Sequence, residues 1–291
     1  MLGEVLTAAV TPFREDGSVN DKAFADLCGY LIDSGSDGVV VAGTTGESPT
    51  LSDEERLRLV ATAVEAVGDR ATVIAGTGTY STAHSVHLTR EVEQIGVDAY
   101  LVVTPYYNKP PPAGVVAHFA AIAEVTDKPI VVYNIPQRVV INIEPTTMSE
   151  LATIPNVRAV KQATTEIEQA KHIVDLGLDL YAGNDDLILP FLEVGGVGGV
   201  CVYTHLVASH VKKMIRAFRA GDIQQAREID LSLHPLIDAL AVTTNPIPVK
   251  TALGLLGHDV GPLRLPLVEA TSDERSRIQE GLATVSLASG G

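Results

Sequence analysis

One lysine stands where it could act as a nucleophile. Residues 157–160 form a short apolar run after the turn signal of residues 154–156, and Lys161 ends that run. Desolvation disfavours the charged form of an amine, and a neutral amine can attack a ketone to form a Schiff base. A structural ion pair and a contact to a phosphate or carboxylate are the alternatives. The position of Lys161 alone leaves all three interpretations open.

Schiff-base chemistry also needs groups that carry protons to and from the carbinolamine. Tyr133 ends another apolar run, while Thr44 and Tyr107 follow two further runs. These three hydroxyl groups could form a proton relay if the fold brings them to the lysine. Taken singly, each has a simpler interpretation: Thr44 as a turn hydroxyl, Tyr107 as a loop aromatic, and Tyr133 as a core residue with a polar tip.

Two features could bind a substrate carboxylate. Arg138 follows Pro136 in a loop, and its guanidinium fork suits bidentate contacts to a carboxylate, with a surface ion pair as the alternative. The backbone of Thr44, Thr45 and Gly46 could form a small nest of N–H groups for an anion. With the lysine, these features indicate a 2-keto acid whose ketone meets the amine and whose carboxylate meets the threonine loop.

The histidines give no support for a metal site. His84 and His87 are three residues apart on a predicted helix that is otherwise mostly polar, so a solvated face is the better interpretation. The sequence has no His-x-His pair and no paired-cysteine motif. We therefore expect neither a metal nor an organic cofactor.

Eight short apolar runs could position these side chains, and helical patterns separate them. The runs comprise residues 5–10, 38–42, 72–75, 99–103, 129–133, 157–161, 178–182 and 199–203. Alternation of strands and helices implies parallel strands, and continuous apolar runs imply strands buried on both faces. We predict an α/β fold, a (β/α)8 TIM barrel, in which chemistry takes place at the C-terminal ends of the strands.

A doubly wound open sheet is the alternative fold. It would usually carry a glycine-rich dinucleotide turn after its first strand, whereas the first run here leads into Thr11, Pro12 and Phe13. After the last run, four helical patterns follow, at residues 205–221, 222–241, 246–256 and 271–287. We predict a barrel over residues 1–206 and a C-terminal helical subdomain over residues 207–291.

The composition limits the class of protein. Of the 291 residues, 46% are apolar and 20% are charged, which predicts a globular chain with a sizeable core. A net charge of −15 argues against nucleic acid and anionic membranes as partners. The chain shows neither a long uncharged apolar run nor a basic n-region, and Cys28 and Cys201 lie in apolar contexts typical of free thiols. We expect a cytoplasmic protein.

Six motifs together resemble those of the dihydrodipicolinate synthases, within the pyruvate-lyase superfamily that includes N-acetylneuraminate lyase. They are spread over nearly the whole chain. The motifs are GTTGES at residues 43–48, TPYYNKP at 104–110, YNIP at 133–136, VK at 160–161, GND at 183–185 and NPIPVK at 245–250.

The resemblance implies a Schiff-base mechanism. Lys161 would bind pyruvate covalently, and Tyr133, Thr44 and Tyr107 would relay protons. Tyr107 would reach into the site of a neighbouring subunit, since members of the family are commonly homotetramers built as dimers of dimers. The enamine would attack the aldehyde of the second substrate to give 4-hydroxytetrahydrodipicolinate, a step that opens the diaminopimelate and lysine pathway.

The resemblance also implies the substrate contacts. Thr45 would hold the carboxylate of pyruvate, Arg138 would bind that of L-aspartate 4-semialdehyde, and Gly183 and Val200 would complete the substrate-binding set. Two alternatives stay open: another pyruvate-dependent aldolase, acting on a 2-keto-3-deoxy sugar acid or N-acetylneuraminate, and a non-catalytic homologue. The arginine favours the synthase, because a charged fork suits a short acidic aldehyde better than a sugar.

Feedback inhibition by lysine is predicted to be weak or absent. Relatives that lysine inhibits often carry histidine, asparagine and glutamate at the positions of Arg56, Tyr80 and His84, so this chain lacks the glutamate that would bind the ammonium group of lysine. An activity assay with added lysine checks this prediction. Half-inhibition at a sub-millimolar concentration of lysine would contradict it.

Overall fold

The computed structural model describes residues 2–288 and contains a closed barrel of eight parallel strands. The strands follow one another around the barrel in chain order, and β8 closes it by pairing with β1. The strands are β1 (Val5–Ala8), β2 (Gly38–Val41), β3 (Thr72–Gly76), β4 (Ala99–Val103), β5 (Ile130–Asn134), β6 (Val157–Gln162), β7 (Asp179–Ala182) and β8 (Gly198–Cys201). All eight predicted strands are confirmed, and the open-sheet alternative is wrong.

Twelve helices accompany the strands within residues 2–288. They are α1 (Asp21–Asp33), α2 (Asp53–Val67), α3 (Thr82–Glu93), α4 (Pro112–Ala123), α5 (Pro136–Val139), α6 (Pro145–Leu151), α7 (Ile167–Asp175), α8 (Ile188–Glu193), α9 (Thr204–Arg219), α10 (Ile223–Leu240), α11 (Ile247–Leu255) and α12 (Ser272–Ala288). The four helices expected after the last strand are confirmed. The division at residue 206 stays a prediction, and residues 1 and 289–291 of the two predicted segments lie outside the described residues.

Two apolar clusters bury both faces of the barrel strands. One cluster contains alternate strand residues such as Leu6, Val40, Val131 and Val200. The other contains the intervening residues, such as Val5, and joins them to the surrounding helices. Burial on both faces explains why the strands have continuous apolar sequences. No helix within residues 2–288 combines the length and the apolar character needed to cross a membrane.

A buried ion pair joins the barrel to the C-terminal helices. Lys250 on α11 donates to Oε1 of Glu47 at 3.0 Å, and the two side chains are 3% and 0% exposed. The same amine donates to the backbone carbonyls of Thr11 and Pro262, and Oε2 of Glu47 accepts from the backbone N–H of Arg264. Burial lowers the pKa of Lys250, and the Glu47 carboxylate opposes this shift. The loop after β2 is thereby tied to the C-terminal part of the chain.

Removing the cation of this pair should destabilise the fold. We expect Lys250→Met to lower the free energy of unfolding by about 3–5 kcal/mol, because Glu47 is left buried without its partner. Denaturant unfolding measures the change. The double variant Glu47→Gln with Lys250→Met removes both charges and should regain much of the loss, so a double variant no more stable than the single one would contradict this account.

Candidate active site

A cavity of about 460 Å³ opens at the C-terminal ends of the barrel strands. Six of the eight predicted site residues line it: Lys161, Tyr133, Thr44, Thr45, Arg138 and Gly183. A larger groove of about 690 Å³ lies at the opposite end of the barrel, ahead of β5 and β6, and none of the predicted residues lines it. The predicted chemistry therefore belongs to the smaller, C-terminal cavity.

Lys161 and Tyr133 are register partners on neighbouring strands. The pairing of β5 with β6 places the two residues side by side, and Nζ of the lysine lies 4.3 Å from the centroid of the tyrosine ring. Each residue is 4% exposed. Within residues 2–288, no acidic side chain forms an ion pair with Lys161. This arrangement disfavours the structural ion pair and leaves the amine available for a ligand in the cavity.

The structure brings together two of the three predicted relay hydroxyl groups. Thr44 follows β2 and lines the cavity, and it also shares a small adjoining pocket with Tyr133. Tyr107 does not line the cavity of its own chain: it is 93% exposed and has a left-handed backbone, with φ of 70°. Its predicted contact with a neighbouring subunit stays a prediction.

The loop after β2 offers backbone donors beside these hydroxyl groups. Within residues 2–288, the backbone N–H groups of Thr44, Thr45 and Gly46 donate to no protein acceptor. Thr45 is 2% exposed, and the carbonyl of Gly46 accepts a hydrogen bond from Oγ1 of Thr11 at 2.7 Å. Unpaired consecutive N–H groups are the feature that a carboxylate nest requires.

Thr45 and Arg138, the two candidate carboxylate-binding residues, each form a hydrogen bond with Asn245. Its Nδ2 donates to Oγ1 of Thr45 at 3.0 Å, and its backbone carbonyl accepts from Arg138 at 3.1 Å. The same guanidinium nitrogen lies 3.4 Å from Oγ1 of Thr244. Asn245 also lines the cavity. This asparagine is the first residue of the motif at residues 245–250. The sequence alone assigns it no role, because its partners lie far away along the chain.

The last two strands supply the remaining wall. Gly183 follows β7 and lines the cavity, whereas Val200 on β8 is 1% exposed within the barrel interior and is not among the lining residues. The substrate contact predicted for Val200 stays a prediction. Val202, two residues further on, does line the cavity. The two-residue period of a strand could have indicated it, because residues two apart point to the same side.

Asp185 is an additional charged residue of the cavity. Its carboxylate accepts the backbone N–H groups of Val202 at 2.8 Å and Tyr203 at 3.0 Å. Burial raises the pKa of Asp185 to about 6, against the opposing effects of these two N–H groups and of Lys161. Above that pH, the carboxylate provides a negative charge in the cavity that also contains the lysine.

Asp185→Asn should change the way stability depends on pH. The fold raises the pKa of this carboxyl from 3.8 to about 6, so the folded protein holds the proton more tightly than the unfolded chain does. The wild type should therefore lose stability relative to Asp185→Asn as the pH rises from about 4 to about 7, by roughly 2 kcal/mol. Denaturant unfolding of both proteins at the two ends of this range tests the prediction, and an equal difference at both ends would contradict it.

Metal ligands do not cluster in the part of the chain that is described. No group of three or more histidine, cysteine, aspartate or glutamate residues within residues 2–288 could hold a metal ion. The candidate site thus consists of an amine, hydroxyl groups, backbone donors, a guanidinium and a carboxylate.

Comparisons with known proteins agree on one family. The model of the dihydrodipicolinate synthetase family, DHDPS, matches residues 1–285. A 4-hydroxy-tetrahydrodipicolinate synthase from Desulforudis audaxviator is 51% identical over 280 residues, covering 95% of each chain. The Moorella thermoacetica protein of the same name is 48% identical over 288 residues, covering 98% of this chain and 99% of its own. The crystal structure of DHDPS from Cyanidioschyzon merolae with lysine bound superposes with a TM-score of 0.96 at 40% identity, covering 98% of this chain and 99% of that one.

Proposed function

The chain belongs to the dihydrodipicolinate synthetase family, and we propose that it condenses pyruvate with L-aspartate 4-semialdehyde through a Schiff base at Lys161. It is a lyase, a 4-hydroxy-tetrahydrodipicolinate synthase of lysine and diaminopimelate biosynthesis. The observation that carries the proposed mechanism is the register pairing of Lys161 with Tyr133 inside the cavity, where no acidic side chain of residues 2–288 forms an ion pair with the amine.

The first half of the reaction activates pyruvate. The neutral amine of Lys161 attacks the ketone carbon to give a carbinolamine, which loses water to form an iminium ion. Tyr133 donates the proton that leaves with the water, and Thr44, which lines the same cavity, exchanges protons with it. The deprotonated Tyr133 oxygen then takes up a methyl proton, which converts the iminium ion into an enamine whose carbon is the nucleophile of the second half.

The second half forms the carbon–carbon bond and releases the product. The enamine carbon attacks the aldehyde of aspartate semialdehyde, and the aldehyde oxygen takes up a proton from the relay of Tyr133 and Thr44 as the iminium ion re-forms. The amino group of the new chain then attacks the iminium carbon and displaces the lysine amine, which closes the ring. Every bond to Lys161 that forms is thereby broken again, and the enzyme returns to its starting state.

Two separate groups hold the two carboxylates. The N–H groups at residues 44–46, which have no protein acceptor among residues 2–288, suit the carboxylate of pyruvate together with the Thr45 hydroxyl. Arg138 uses one guanidinium nitrogen for Asn245 and Thr244, which leaves other donors of the fork for the carboxylate of aspartate semialdehyde. Gly183 and Val200 complete this proposed set of substrate contacts.

Tyr107 completes the relay of a neighbouring subunit in this proposal. Its ring is 93% exposed, and that of Tyr80 is 56% exposed, so this face carries aromatic surface that a partner subunit could cover. We propose a homotetramer built as a dimer of dimers. Sedimentation of the active enzyme tests this assembly, and a fully active monomer would contradict the role of Tyr107.

The buried thiols support a cytoplasmic location, which we also propose. Cys28 and Cys201 are both free and buried, and burial raises the pKa of Cys28 to about 12. We likewise propose a barrel over residues 1–206 and a helical subdomain over residues 207–291. Neither the sugar-acid aldolase nor the non-catalytic homologue has a specific observation in its favour.

Proton NMR in D2O with pyruvate and aspartate semialdehyde tests the proposed reaction. We expect the aldehyde signal to disappear at the rate at which pyruvate is consumed, and we expect Lys161→Ala to abolish both changes. If the aldehyde persists while the pyruvate methyl group exchanges for deuterium faster than in a protein-free control, the enamine forms and another aldehyde is the partner. Turnover by Lys161→Ala at the wild-type rate would reject the Schiff base.

A further inference from the structure

Both ends of the 245–250 segment contact the loop that carries Thr44 and Thr45. We name residues 44–47 the carboxylate loop. Asn245 donates to Thr45 at 3.0 Å across 200 positions of sequence, and Lys250 donates to Glu47 at 3.0 Å across 203 positions. One end of this six-residue segment thus lines the cavity, and the other end forms the buried ion pair. The proposed reaction assigns no function to the segment.

The carboxylate loop has a backbone that needs external support. Glu47 is its last residue and Ala42 lies two residues before its start, and both are non-glycine residues with left-handed backbones, at φ of 54° and 53° respectively. Such backbones are strained in residues other than glycine, and they persist where the surrounding structure holds them. For Glu47 that support is the amine of Lys250 and the N–H of Arg264, both bound to its carboxylate.

The side chain of Asn245 controls the direction of one hydroxyl group. Because Nδ2 donates to Oγ1 of Thr45, it occupies an acceptor position on that oxygen. The hydroxyl hydrogen of Thr45 is then free to point at an anion in the cavity. An acceptor in place of Nδ2 would attract that hydrogen and turn it away from the ligand.

We propose that the 245–250 segment is a positioning element for the carboxylate of pyruvate. Lys250 fixes the backbone of the carboxylate loop through Glu47, and Asn245 orients the hydroxyl of Thr45. The C-terminal part of the chain is therefore a component of the substrate site as well as a cover for the barrel. This inference rests on the proposed function, which supplies pyruvate as the ligand.

Two substitutions at Asn245 separate positioning from simple structural support. Asn245→Ala removes the donor to Thr45, and Asn245→Asp keeps nearly the same shape but replaces the donor by an acceptor and adds a negative charge. Asn156→Ala is the matched control, because Nδ2 of Asn156 donates to the carbonyls of Ala123 and Thr126 beside the groove at the other end of the barrel.

The measured quantity is the pyruvate concentration that gives half-maximal trapping of the Schiff base by borohydride, together with KM for each substrate. Asn245→Ala should raise the half-saturating pyruvate concentration by about threefold to tenfold, the value of one hydrogen bond. Asn245→Asp should raise it further, because its carboxylate draws away the hydroxyl hydrogen and repels the substrate. KM for aspartate semialdehyde should change less, since Arg138 contacts the backbone of Asn245.

The order of the variants decides the outcome. A larger rise for Asn245→Asp than for Asn245→Ala, with Asn156→Ala unchanged, supports the proposal. This inference alone is overturned in either of two cases, provided that the wild type is trapped. In the first, both Asn245 variants keep the half-saturating pyruvate concentration of the wild type. In the second, the Asn156 control raises this concentration as much as the Asn245 variants do. No trapping of the wild type would overturn the proposed function, and the inference with it.

Discussion

The register between β5 and β6 is the constraint on which the proposed chemistry depends. It places Tyr133 beside Lys161 and directs both side chains to the cavity end of a closed barrel. Because side chains alternate along a strand, a slip of one residue would turn the lysine toward the surrounding helices. Closure of the barrel fixes this register from both sides, since β6 also pairs with β7 through Lys161 and Tyr181. A buried amine next to a phenol therefore follows from the topology.

The C-terminal part of the chain holds the carboxylate loop of the site. The barrel strands end at Cys201, yet the loop after β2 is held by Lys250 and Asn245, which come much later in the chain. A buried ion pair is a costly way to stabilise a fold, because both charges lose their hydration. This ion pair lies at the carboxylate loop, where it fixes one loop conformation at the place where the substrate is expected to bind.

The strands and most of the cavity could be predicted from the sequence, because residues buried in a strand form a continuous apolar run. Continuous apolar runs indicated all eight strands, and the residues at their ends indicated the cavity wall. Apolar character reports burial and not pairing, which is why the first predicted strand extends to Val10 while β1 ends at Ala8. The contacts of Asn245 could not be predicted, because they join it to Thr45 and Arg138, which lie 200 and 107 positions away along the chain. Tyr107 follows β4 on a left-handed turn and its side chain is exposed, so its predicted contact with a neighbouring subunit stays a prediction.

Mapping the modified lysine after reduction tests the central claim most directly. The protein is treated with borohydride in the presence of pyruvate, digested, and analysed by mass spectrometry for the residue that carries the reduced adduct. The account predicts a single pyruvate-dependent adduct at Lys161, because this buried amine lines the cavity and forms no ion pair with an acidic side chain among the described residues. An adduct at a different lysine, such as the ion-paired Lys250, or turnover of pyruvate without any adduct, would contradict it.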